Sequence, residues 1–153
     1  MSNLLNSPKE DHPAQHIYYR KVHFSDTDAA GVAHFTKLLN FVEEAEHDFL
    51  LSCGVSPFGP DHGWPRVSLS VDYTSPCRFG DEVAITLFDF SYGRTCLHYQ
   101  FRAEVMQDGH PRTVFTGKMQ VCFVRRNKDS TGEFSPAPIP HEIVKLWGGL
   151  LSP

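Results

Sequence analysis

Phe24-Ser25-Asp26-Thr27-Asp28-Ala29-Ala30-Gly31-Val32-Ala33-His34-Phe35 marks the point where one periodicity ends and another begins. Upstream, Ile17 to Ser25 alternates imperfectly as a strand, with Tyr19, Lys21 and His23 on one side and Tyr18, Arg20, Val22 and Phe24 on the other. Downstream, Leu38, Val42, Ala45 and Phe49 recur at spacings of four, three and four, which stacks them on one helical face. Between the two patterns lie two carboxylates, Asp26 and Asp28, and a glycine, Gly31. A carboxylate at a strand-to-loop bend, beside the amide-rich start of a helix, offers both halves of an acyl-transfer site. One half is a nucleophile or base; the other is a set of N–H donors for a developing oxyanion.

On the helix, Lys37, Asn40, Glu43, Glu44, His47 and Asp48 fill the opposite arc, and Cys53-Gly54 supplies a C-terminal stop. From Arg66 the period changes to two. Val67, Leu69, Val71 and Tyr73 form one run, and Val83, Ile85 and Leu87 a second. Leu97, Tyr99, Phe101, Ala103 and Val105 form a third, and Phe115, Gly117, Met119, Val121 and Phe123 a fourth. Turn signals at Gly80-Asp81, Tyr92-Gly93 and Asp108-Gly109 separate them, the pattern of an antiparallel sheet. The expectation is an α+β domain of one long helix and five strands. One helix cannot cover both faces, so the sheet edges are expected to pair with another subunit. Residues 1–15 read as a tail, 16–126 as the domain, and 127–153 as a proline-rich linker with a short final helix opened by Pro140.

The chain has 153 residues, enough for one domain with a real core, and 41% of them are hydrophobic. A net charge of −4 argues against nucleic acid as a partner. Cys53, Cys77, Cys96 and Cys122 are widely spaced, with no C-x-x-C pair, and read as four reduced thiols in a cytoplasmic protein. Residues 1–15 hold no apolar stretch and no run reaches membrane-spanning length, so neither a leader nor a membrane span is expected. No His, Cys or carboxylate cluster has metal-ligand spacing, so no metal is expected.

The aspartates and glycine at this spacing, followed by a helix and four strands, resemble the hotdog-fold thioesterases of the 4-hydroxybenzoyl-CoA thioesterase family. That group includes short-chain acyl-CoA thioesterases with a D-x-D-x-x-G-V pattern and the 1,4-dihydroxy-2-naphthoyl-CoA hydrolases of phylloquinone and menaquinone synthesis. The likeness spans roughly residues 16–126. It implies a helix wrapped by the sheet, a homodimer or homotetramer with sheets joined across a dimer, and active sites at the interface. It also implies an acyl-CoA substrate, with coenzyme A leaving as product and no retained cofactor.

The resemblance puts the catalytic carboxylate on Asp28 and the oxyanion donor on the backbone N–H of Phe35, seven residues on. Aspartate also closes turns and caps helices, which is the reading preferred for Asp26. Gly31 is expected to permit a backbone conformation or a close thioester approach. His34 is a candidate for lining the substrate pocket rather than for catalysis. Glu43 and Glu44 read as a solvated face, with Glu46, nearer the apolar edge, as the backup base. Trp64-Pro65 is a candidate platform for a flat acyl ring. Arg94, and Arg125 with Arg126 beside Lys128, are candidates for the nucleotide phosphates. The leading expectation is hydrolysis of an aromatic acyl-CoA, with 1,4-dihydroxy-2-naphthoyl-CoA first. The alternatives are a short aliphatic acyl-CoA, a thioester on an acyl-carrier protein, and a binding module without turnover.

Overall fold

The structure, a computed structural model, describes residues 14–147. Strand β1 (His16–Lys21) leads through a 3₁₀ turn (Phe24–Asp26) to helix α1 (Phe35–Ser52). Then come β2 (His62–Gly63), β3 (Arg66–Tyr73), β4 (Glu82–Tyr92), β5 (Cys96–Gln107), β6 (His110–Cys122), β7 (Val124–Arg126), β8 (Phe134–Pro136) and α2 (His141–Trp147). Five strands form one antiparallel sheet in the order β1-β4-β5-β6-β3. Expected tail residues 1–13, and Leu150 of the expected final helix, lie outside the described residues.

The sheet curls around α1. Leu38, Phe41, Val42, Ala45, Phe49 and Leu50 are buried against Ile85, Leu87, Leu97, Tyr99 and Phe101. The helix stops where expected. The Val55 N–H bonds the Leu50 carbonyl at 2.8 Å and the Gly54 N–H bonds the Leu51 carbonyl at 2.9 Å, the paired closure of a Schellman motif. At the tip of the β5–β6 hairpin, Asp108 and Gly109 both take positive φ, 51° and 77°, as a tight two-residue turn demands. That tip sets the register from Gln107↔His110 to Glu104↔Thr113, and a one-residue shift between Ala103 and Glu104 then gives Tyr99↔Met119 and Cys96↔Cys122.

Strand β3 is an edge, and its apolar face is not covered. Leu69 lies opposite Met119, which lies opposite Tyr99, so these side chains share the inner face. Met119 and Tyr99 are buried, but Val67, Leu69 and Tyr73 stay at least 44% exposed. Helix α1 touches β3 through polar contacts at the strand's two ends, Arg66 and Tyr73, and leaves these apolar side chains largely open.

Four expectations are corrected. The first strand ends at Lys21 rather than Ser25, because the buried Asp26 carboxylate accepts the His23 N–H at 2.8 Å and winds residues 24–26 into the 3₁₀ turn. Residues 127–140 are no free linker. β8 pairs with β7, which pairs with β2, while Ala137 and Ile139 donate backbone bonds to Phe123 and Arg94. The cysteines are not four thiols: Cys96 and Cys122 are joined by a disulfide, with S–S 2.00 Å, and only Cys53 and Cys77 are free. The β5–β6 register sets those two side by side, which removes half of the case for a reducing compartment. Finally, Glu43 and Glu44 do not form a merely solvated face; each is half-buried and ion-paired, with Arg66 and Arg20. No described helix is long and apolar enough to cross a membrane.

Candidate active site

The loop from Asp28 to Val32 is tied by its own backbone. The Asp28 N–H bonds the Val32 carbonyl at 2.9 Å, and the Gly31 N–H returns to the Asp28 carbonyl at 3.0 Å. Gly31 sits at φ +72°, and a Cβ there would meet nothing within 4 Å. Its backbone conformation therefore explains the glycine within the chain, and crowding does not. The turn aims the amides of Ala30 and Val32 at one oxygen of Asp28, Oδ1, at 2.8 and 3.3 Å. Asp28 is exposed, and its Oδ2 has no hydrogen bond or ion pair among the described residues.

Asp26 is the opposite case. It is 5% exposed, bonded to the His23 amide, and 3.4 Å from the Arg20 guanidinium. Two residues apart, one carboxylate is sealed into the fold and the other is presented to solvent.

His34 caps the helix, its ring Nδ1 accepting the Thr36 N–H at 3.3 Å. Its own N–H bonds the Asp26 carbonyl at 2.8 Å, which couples the structural aspartate to the helix start. Phe35 is the first helical residue, so its N–H has no carbonyl one turn back to bond. The Phe35 carbonyl accepts the Tyr73 hydroxyl at 3.1 Å, fixing the helix start against the end of β3.

Asp28, Val32, His34, Phe35, Leu38, Tyr73, Thr74, Ser75 and Pro76 line one cavity of about 480 Å³. It has a free carboxylate oxygen, an unused helix N-terminal amide, and an apolar side built from Phe35, Leu38 and Tyr73. Nothing in the sequence marked Tyr73, read as part of an alternating strand, or Ser75 as residues of the site. They reach the cavity because β3 and the loop after it run beside the Asp28 loop, where the Ala33 N–H bonds the Cys77 carbonyl at 2.9 Å.

Other sequence candidates lie elsewhere in the chain. Trp64 is 5% exposed, packed on Phe123 and Trp147, and lines with Pro65 a separate cavity of about 540 Å³ beside Glu43, His47 and Arg66. Arg126 is committed to the carbonyls of Pro60 and Gly132 and to the Phe134 ring. Arg125 lies 5.6 Å over the Phe123 ring, and the Arg94 backbone anchors Ile139. None of these lines the Asp28 cavity. Glu46 is fully buried, holding Arg66 at 3.0 Å and accepting the Tyr99 hydroxyl. Burial pushes its pKa up, against the lowering effect of Arg66. A sealed group with both oxygens engaged is structural, not a reserve base.

The family model of the thioesterase superfamily matches residues 30–123, starting two positions after Asp28. This chain belongs to the thioesterase superfamily. Its sequence relatives include the 1,4-dihydroxy-2-naphthoyl-CoA hydrolase of Acaryochloris marina, 26% identical over 84% of this thioesterase and 92% of the relative. The protein of that name from Synechococcus elongatus is 28% identical over 88% of this chain and 95% of its own. Among solved structures, 4-hydroxybenzoyl-CoA thioesterase from Pseudomonas sp. strain CBS-3 superposes with a TM-score of 0.76. It is 16% identical, covering 87% of this thioesterase and 99% of the other chain. A 1,4-dihydroxy-2-naphthoyl-CoA thioesterase from Synechocystis superposes with a TM-score of 0.69 at 22% identity, covering 90% and 95%. The fold of this thioesterase is the hotdog fold, with its helix wrapped by the five-stranded sheet.

Proposed function

We propose that this thioesterase hydrolyses an acyl-CoA thioester with Asp28 as the reacting carboxylate and the Phe35 N–H as the oxyanion donor. The observation that carries this reading is the division of labour at Asp28: Oδ1 is fixed by two amides while Oδ2 is free, in the cavity that Phe35 also lines. A fixed carboxylate loses little entropy on reaching the attacking geometry. The thioester carbonyl polarised by the helix-terminal amide is attacked either by Oδ2 or by a water that Oδ2 deprotonates. The tetrahedral intermediate then expels the thiolate, a good leaving group that needs no strong acid; on the direct route this leaves an acyl-Asp28 anhydride, which a water then cleaves to the free acid and the restored carboxylate.

The acyl group we favour is aromatic, with 1,4-dihydroxy-2-naphthoyl-CoA the first candidate. Two relatives of that activity align along most of this chain, and the aromatic sides of Phe35 and Tyr73 suit a flat ring. The reading includes a homodimer joined along β3, because the bare inner face of Val67, Leu69 and Tyr73 at a sheet edge is an unstable surface to leave in water. It also keeps a cytoplasmic site of action, on the composition and the two free thiols. The test is a panel of aromatic and short aliphatic acyl-CoA esters with a thiol-reactive dye. Thiol release fastest from the aromatic esters is the expected result. Tight binding without thiol release would identify a binding module instead.

A further inference from the structure

The cavity of Asp28 has a neighbour. A second cavity, of about 460 Å³, shares Ser75 and Pro76 with the first and is lined by Arg78 and Arg112. Arg78 is held beside the catalytic loop by a backbone bridge to Val32, and its side chain is exposed and makes no ion pair among the described residues. Arg112 bonds Ser75 Oγ at 2.5 Å and the Pro76 carbonyl at 2.8 Å through one guanidinium nitrogen, so it forms part of the wall between the two cavities. Its Nε is buried with no partner among the described residues. One carboxylate, Asp81, lines the same cavity, and its Oδ2 already accepts the Arg78 backbone N–H at 2.8 Å. Two guanidinium groups against one engaged carboxylate leave a positive recess one residue pair away from the reacting centre. Its unused N–H donors suit phosphate oxygens.

We propose that Arg78 and Arg112 hold the phosphates of the coenzyme A moiety, in place of Arg94, Arg125 and Arg126. This rests on the acyl-CoA reading above and adds a polarity to the site. The acyl group occupies the side of Phe35, Leu38 and Tyr73, the thioester lies at Asp28, and the pantetheine arm crosses Ser75 and Pro76 to the arginines. The inference concerns binding, so the arginines change KM and leave the chemical step alone.

The experiment compares one acyl group carried on coenzyme A, on pantetheine without phosphates, and on a holo acyl-carrier protein. Arg78→Ala is expected to raise KM for the acyl-CoA about tenfold, the worth of one charge-assisted contact, with kcat within about twofold. Arg78→Glu is expected to raise it further, and neither variant should change the kinetics of the pantetheine ester. Arg112→Lys, which keeps a charge on the wall, is expected to give a smaller rise confined to the phosphorylated substrate. Equal losses on both small esters would mean a structural role and overturn the proposal. So would an unchanged KM for acyl-CoA, or a loss confined to the carrier protein. Calorimetric binding of free coenzyme A to wild type and Arg78→Ala reads the same contact without turnover. If wild type cleaves none of the esters yet Arg78→Ala weakens coenzyme A binding about tenfold, the hydrolase reading fails and the phosphate site stands.

Discussion

Asp26 and Asp28 differ by two positions and by everything that matters chemically. One is buried against Arg20 and the His23 amide; the other leaves an oxygen free in a cavity. The sequence made both aspartates conspicuous, but only the 3₁₀ turn decides which of them faces inward. Gly31 links the pair to the helix. At φ +72°, a β-branched residue is strained, whereas asparagine tolerates that region. Gly31→Val is therefore expected to lower kcat sharply and to cost about 1–2 kcal/mol of stability. Gly31→Asn should recover most of both, which thermal melts alongside initial rates will check. Glu46 makes a separate prediction. Its folded pKa is raised by burial, so its stabilising contribution is full below the ordinary glutamate range and is lost as pH rises through the folded value. Glu46→Gln keeps an acceptor for Tyr99 and removes that titration. The melting temperature of the variant relative to wild type should climb from pH 4 to pH 8; a difference independent of pH would contradict the assignment.

At the scale of elements, Gly117 is the tightest point of the sheet. A Cβ there would collide with the Ser70 carbonyl and the Phe101 ring, both of which are fixed. Gly117→Ala is expected to destabilise the fold by about 1–3 kcal/mol, read as a shift in denaturation midpoint, while leaving Asp28 untouched. The long elements were legible because their apolar patterns recur: α1 repeats its apolar face over four turns, and β4, β5 and β6 each hold an alternating apolar run within eleven residues or more. Strands β2, β7 and β8 have two or three residues each, too few for a period to register, and β8 lies in proline-rich sequence. The disulfide had only half a signal. The Asp108-Gly109 tip alone would set Cys96 opposite Val121, and the register shift between Ala103 and Glu104 moves it one place on, to Cys122. The hairpin was legible in the sequence; the bulge that completes the pairing was not.

For the whole molecule, the decisive feature is the uncovered inner face of β3 beside the Asp28 cavity, which Tyr73 lines. The Trp64 cavity, which Arg66 also lines, stands apart from Asp28 within one chain. A second copy joined along β3 would cover the exposed face of both chains. Leu69→Lys at that edge is expected to give monomers in analytical ultracentrifugation and to lose most activity, although Asp28 is unchanged; an active monomer would contradict an interfacial site. The central claim is narrower than the assembly: one carboxylate oxygen, left free beside a helix-terminal amide, cleaves the thioester. Its most direct measurement is the rate of thiol release from 1,4-dihydroxy-2-naphthoyl-CoA by wild type and by Asp28→Asn, with melting curves on the same samples. The account predicts a fall of about 10²–10⁴-fold in kcat with an unchanged melting temperature. A folded Asp28→Asn protein that still turns over within a few-fold of wild type would contradict it.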